Sequence, residues 1–201
     1  MYIVCLDLEG VLVPEIWISF SVATGIKELR LTTRDISDYD VLMKRRISIL
    51  KAHNLKLADI QKVIGAMEPL EGAENFLNVL REKVQVIILS DTYTEFAKPL
   101  MKKLGWPTLF CNNLVVDSEG TIIDYKLRQK DGKKHAVEAL KSIGFSVIAG
   151  GDSYNDVTML KTADFGLFFK PPENIVKEFP AFPAVYNYHD FMGVIEKFLK
   201  S

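Results

Sequence analysis

The sequence predicts an α/β fold: a doubly wound parallel sheet with a small helical cap inserted after the first strand. Three observations carry this. Short apolar runs at Tyr2–Leu6, Val84–Leu89 and Val147–Gly151 are rich in β-branched residues, and each runs straight into polar residues. That is the pattern of strands buried on both faces, with functional groups at their C-terminal ends. Between and after these runs lie segments of helical period, and strands alternating with helices favour parallel pairing with helices on both faces. Residues 15–68 break the rhythm, because they hold helical patterns and no strand.

The first run, Tyr2-Ile3-Val4-Cys5-Leu6, meets Asp7, and Gly10 follows Glu9 where the chain can turn. In the insertion, Ile16-Trp17-Ile18-Ser19-Phe20 leads to Gly25, a helix stop. Asp38 or Asp40 can start a second helix, with Leu42, Met43, Ile47, Ile49 and Leu50 at roughly helical spacing. Leu57, Ile60, Val63, Ile64 and Met67 make a third, closed by Pro69. The expected division is therefore a core of residues 1–14 and 69–201 and a cap of residues 15–68. The core resumes with a helix over Ala73–Arg81, the strand Val84–Leu89 and a helix over Phe96–Leu104 stopped by Gly105. Leu114–Val116 and Thr121–Ile123 flank Asp117-Ser118-Glu119-Gly120 and read as a hairpin. A helix over Lys133–Ile143, the strand Val147–Gly151, a helix from Asn155, a strand at Phe165–Phe169 and a closing helix over Asp190–Leu199 complete the chain.

Composition narrows the function. A formal net charge of −1 argues against a nucleic-acid surface, and 48% hydrophobic residues support a sizeable core. No stretch is long enough to span a membrane, and the N-terminal run is too short for a signal peptide. Cys5 and Cys111 make no metal-type spacing and read as reduced, buried thiols, which suits a cytoplasmic protein. His53, His135 and His189 are too scattered for a ligand cluster.

In doubly wound sheets, ligands sit outside the carboxyl ends of the strands. Three strands deliver Asp7 and Glu9, Ser90 and Asp91, and Asp152 to that edge. Each has an ordinary reading alone: Asp152 and Ser90 as helix caps, Lys133 as a solvated helix start. Together they supply two acids for a hard cation, a hydroxyl for phosphate oxygens and a lysine to neutralise charge. These are the parts of a phosphoryl-transfer site.

Asp7-x-Glu9-Gly10-Val11, Ser90 after a strand, Lys133, and Gly151-Asp152-x-x-Asn155-Asp156 resemble, in order, the four motifs of the haloacid dehalogenase-like hydrolases. The resemblance spans residues 7 to 156 and implies an aspartyl-phosphate intermediate and a Mg²⁺ site. It makes Asp7 the nucleophile and Glu9 the acid/base. Asp7, Asp152 and the backbone carbonyl of Glu9 would hold the metal. Ser90 and Lys133, with Asp91 beside them, would bind the transferring phosphate, Lys134 being the neighbouring alternative to Lys133. Asn155 would touch substrate, and Asp156 would support the metal loop.

The insertion is similar to that of the phosphoserine phosphatase branch, where a glutamate and an Arg-Val-x-Leu-Leu stretch grip the substrate's ammonium and carboxylate. Glu15 and Arg46-Ile47-Ser48-Ile49-Leu50 stand in those places. A planar guanidinium suits a carboxylate because it can donate two parallel hydrogen bonds. The alternatives are a helix N-terminal acid for Glu15 and a solvated Lys44-Arg45-Arg46 run. One departure stands out: Glu9 occupies a place usually held by Asp. The extra methylene moves the carboxyl by about 1.5 Å. This DxE form resembles phosphoserine:homoserine phosphotransferases, so homoserine joins water as a possible acceptor, with O-phosphoserine as donor. A phospho-receiver switch also uses acids, a hydroxyl and a lysine. Such domains are shorter and carry the phosphorylated Asp on a later strand, without a helical insertion.

Overall fold

The computed structural model describes residues 1–32, 35–36 and 38–200. Seven strands form one sheet: β1 Tyr2–Leu6, β2 Gln85–Tyr93, β3 Thr108–Val116, β4 Ile122–Lys126, β5 Ser146–Gly151, β6 Phe165–Phe169 and β7 Ala184–Val185. Their order is β4-β3-β2-β1-β5-β6-β7. All pairs are parallel except the β3–β4 hairpin. The order reverses at β1, so the crevice between the ends of β1 and its neighbours is the topological switch point. The α/β doubly wound fold is the one the sequence predicts.

Alternation along β1 sorts the core. Val4 and Leu6 face one apolar cluster, whereas Ile3 and Cys5 face another with Val147 and Ala149. The second cluster includes Ala136, Val137 and Leu140 of α6 (Gly132–Ser142). Asp7 continues the ladder, its N–H donating to the Gly150 carbonyl at 2.9 Å.

Between β1 and α4 (Ala73–Lys83) lie α1 (Ile16–Thr24), a 3₁₀ turn at Lys27–Arg30, α2 (Tyr39–Ala52) and α3 (Leu57–Ala66). No strand interrupts them among the described residues. Asp38 starts α2, its side chain accepting the Val41 N–H at 3.0 Å. The remaining helices are α5 (Thr94–Lys103), α7 (Val157–Thr162), α8 (Glu173–Glu178) and α9 (Tyr188–Leu199).

Three features differ from the sequence reading. The hairpin strand expected at 114–116 begins at Thr108, because it also pairs with β2. The helix α8 and the two-residue strand β7 were not expected. Cys5 is buried and burial pushes its thiol up to about 12, but Cys111 is only partly buried; both are free.

Candidate active site

Asp7 lies at the switch point, buried, on the α6 side of the sheet. Its Oδ1 accepts the Leu8 N–H at 2.7 Å and lies 2.9 Å from Lys133 Nζ. Lys133 is in the first turn of α6 with its side chain only 3% exposed. The same ammonium lies 2.7 Å from Asp156 Oδ1 and 3.7 Å from Asp91 Oδ2. Burial alone would lower the Lys133 pKa, but the carboxylates of Asp156, Asp7 and Asp91 hold it well above its usual value. Lys134 points elsewhere, 3.6 Å from Glu138 on the half-exposed flank of α6.

The chain after β5 is built around Asp156. Its Oδ2 accepts the N–H groups of Asp152 (2.9 Å) and Ser153 (3.1 Å), so the fully buried carboxylate fastens the loop that presents Asp152. Gly151 is needed there, since a Cβ would overlap the Asp156 carboxyl group. Gly10 serves Asp152 in the same way. Its φ is +79°, and a Cβ would come within 2.5 Å of the Asp152 carboxyl carbon. The glycines and acids of the two motifs are therefore one packing unit.

Asp7, Asp152 and Asp156 bring one carboxylate oxygen each within 4.8 Å of one another. Burial first, then the charge of Asp156, raises the Asp7 carboxyl well above its usual value, against the pull of Lys133. Burial, Asp156 and Glu15 push Asp152 up to about 7. Three acids against one lysine leave an excess of negative charge, and an all-oxygen donor set suits a hard divalent cation.

A cavity of about 350 Å³ opens over this cluster. It is lined by Asp7, Glu9, Glu15, Arg46, Ser90, Asp91, Asp152 and Asn155, so most of the site residues read from sequence share one cavity. Lys133 and Asp156 do not line it; Lys133 lines a second cavity that shares Tyr39, Asp91, Tyr154 and Asn155 with the first, and its ammonium meets Asp7 and Asp91 of the first cavity's lining. Ser90 is buried, its Oγ accepting the Thr92 N–H at 3.2 Å. Asn155 donates to Asp91 Oδ2 at 3.1 Å and is hydrogen-bonded to Ser153.

The longer acid of the first motif is accommodated. Glu9 Oε2 accepts the N–H of Ile16, the first residue of α1, at 2.8 Å. Burial, then the charge of Glu15, nevertheless pushes its carboxyl up to about 8.

Arg46 is buried, not solvated. Its guanidinium carbon lies 4.5 Å from the Trp17 ring centroid, and it donates to the Leu31 carbonyl (2.7 Å) and towards Met43 Sδ (3.6 Å). Its Nε has no hydrogen-bond partner among the described residues. Burial lowers its pKa, and Tyr39, Glu9 and Glu15 oppose that. Trp17, Tyr39, Thr92 and Tyr93 also line the cavity, and the sequence reading did not single them out as site residues. Trp17 sits in an apolar run, where it reads as core; Tyr39 stands between Asp38 and Asp40 and Tyr93 between Thr92 and Thr94, and neither belongs to a motif.

A family model described as haloacid dehalogenase-like hydrolase matches residues 3–164. The chain belongs to the haloacid dehalogenase-like hydrolases. Among proteins of this hydrolase family, it is 57% identical over 201 residues to a protein of Pseudomonas aeruginosa named phosphoserine phosphatase ThrH, covering all of this chain and 97% of that one. A phosphoserine phosphatase of Pseudomonas syringae pv. tomato is also 57% identical, over 99% of this chain and 83% of its own. Among solved structures, a substrate-bound phosphoserine phosphatase complex superposes with a TM-score of 0.76 at 21% identity, covering 98% of this chain and 97% of that one. That likeness is one of fold.

Proposed function

We propose that this hydrolase transfers the phosphoryl group of O-phospho-L-serine through a phospho-Asp7 intermediate. The observation that carries this is a single cavity lined both by Asp7, buried beside Lys133, and by the buried Arg46. The names of the two relatives with 57% identity support the same substrate.

Mg²⁺ fits the acidic cluster; Asp7, Asp152 and the Glu9 carbonyl would hold it, and it would offset repulsion between the anionic ester and the carboxylates. Asp7 attacks phosphorus through Oδ2, since Oδ1 is occupied by Lys133 and Leu8. The phosphorus–oxygen ester bond breaks as the aspartyl–phosphorus bond forms. Glu9 gives its proton to the departing serine oxygen. Ser90 and Lys133 hold the transferring oxygens, with Asp91 and Asn155 at the rim. Glu15 faces the ammonium of the substrate and Arg46 its carboxylate. In the second step an acceptor hydroxyl gives its proton back to Glu9 and attacks phosphorus, freeing Asp7.

Residues 15–68 act as the cap that closes this cavity over the core. The acceptor is water, L-homoserine or both. Homoserine carries the same zwitterionic end as serine with one more methylene, and the anchored Glu9 favours a hydroxyl held in one place. The test is incubation with O-phospho-L-serine and Mg²⁺, with and without L-homoserine, following free phosphate and phosphohomoserine. Release of either product, lost on adding EDTA, supports the reading. No turnover of this ester, with turnover of another small phosphomonoester, overturns it.

A further inference from the structure

Arg46 and Ser90 belong to different elements, α2 and β2, which the chain joins only through α3 and α4. If Arg46 grips the carboxylate end of the substrate, as proposed above, the distance between these two residues must match one molecule. A misplacement near 1 Å can cost about a hundredfold in rate. Something must fix that distance.

We propose that Tyr39 is a positioning residue whose hydroxyl latches α2 to the end of β2, and so sets the span between Arg46 and Ser90. Tyr39 is the first residue of α2 and stands seven before Arg46, so both lie on nearly one face, about 10 Å apart along the helix. Both line the cavity. The Tyr39 hydroxyl donates to the Asp91 carbonyl at 3.3 Å and lies 2.7 Å from the hydroxyl of Tyr93, which is 1% exposed. With Tyr39 donating to the carbonyl, Tyr93 donates to Tyr39. One hydroxyl thus bridges α2 to the residues just after Ser90.

The β3–β4 hairpin braces the same helix from both ends. Tyr125 of β4 meets the Tyr39 ring edge to face (centroids 5.7 Å apart) and donates to Asp40 Oδ1 at 2.8 Å. Beyond the other end of α2, the Leu57 N–H donates to the Gly120 carbonyl (2.9 Å) and Lys56 Nζ to that of Glu119 (2.8 Å). Arg46 sits between the two braces.

Tyr39→Phe removes both hydroxyl bonds and keeps the ring contact. The variant is expected to lose about tenfold in kcat/KM on O-phospho-L-serine and less than about twofold on p-nitrophenyl phosphate, which has no amino-acid end. Hydrogen exchange of the α2 amides in the unliganded protein should quicken, while that of β1 and β5 stays unchanged. Tyr93→Phe should act alike, and the double variant should be no worse than the worse single one, because the two hydroxyls share a bond. Equal losses on both esters, additive losses, or unchanged α2 exchange would each overturn the latch. Were O-phospho-L-serine not turned over by the unaltered protein, the reading of Arg46 would fail, and the exchange measurement would still decide the latch.

Discussion

Glu9 is the acid/base of the proposed mechanism and the residue that departs from the first motif's usual Asp. Burial and the neighbouring Glu15 raise its carboxyl to about 8, so the acid form prevails at neutral pH and can protonate a leaving oxygen. A group that must be protonated to act loses effect as pH rises through its pKa. The kcat/KM for O-phospho-L-serine should therefore fall above about pH 8. Glu9→Gln should be slower by about 10²–10⁴-fold and show no such alkaline limb. A limb unchanged in the variant would assign it to another group. Arg46 is the residue to which the proposed function gives the substrate's carboxylate. Arg46→Ala should lower kcat/KM on O-phospho-L-serine by about 10- to 100-fold, the worth of a charged hydrogen bond, with little change on an ester lacking the carboxylate. Equal losses on both would move Arg46 to the phosphate or to the fold.

Among the elements, α6 does more than cover the sheet. It delivers Lys133 into a pocket between Asp7 and Asp156, where the ammonium offsets two buried carboxylates. Lys133→Ala leaves those acids facing one another, and breaking such a buried pair costs about 3–5 kcal/mol. Urea unfolding in the presence of EDTA should show this loss, and an unaltered midpoint would mean the acids are protonated and need no cation. The elements also show what a sequence can and cannot display. The buried strands were legible because each is a short β-branched run ending in an acid or hydroxyl. Lys133 and Lys134 are adjacent in the sequence, and the fold separates them: Lys133 is buried beside Asp7 and Lys134 lies on the half-exposed flank of α6 beside Glu138. The outer part of β3 was not legible, since Thr108 to Asn113 mixes polar and apolar residues and depends on non-local pairing with β2. The two-residue β7 and six-residue α8 are too short for any period to declare itself. Trp17, in an apolar run, is indistinguishable from core in the sequence, and Tyr39 and Tyr93, among polar neighbours, carry no spacing that marks a site. Only the tertiary fold gives their hydroxyls and ring faces an address.

On the scale of the whole molecule, the sheet order places the ends of β1, β2 and β5 side by side, so three separated motifs line one cavity and the fourth, Lys133 of α6, meets Asp7 and Asp91 of its lining. Glu15 and Arg46, from the segment after β1, line the same cavity, and the proposed function gives the chemistry to the sheet and the selectivity to that segment. No helix of the described chain is long and apolar enough to cross a membrane. The central claim is that Asp7 takes the phosphoryl group from a phosphorylated amino acid. It is tested most directly by mixing the protein with O-phospho-L-serine labelled in the phosphate and Mg²⁺, quenching in acid within one turnover, and mapping the label. The account predicts a hydroxylamine-sensitive acyl phosphate on the peptide containing Asp7, absent in Asp7→Asn. Labelled product without any labelled peptide, or label on a residue other than Asp7, would contradict it.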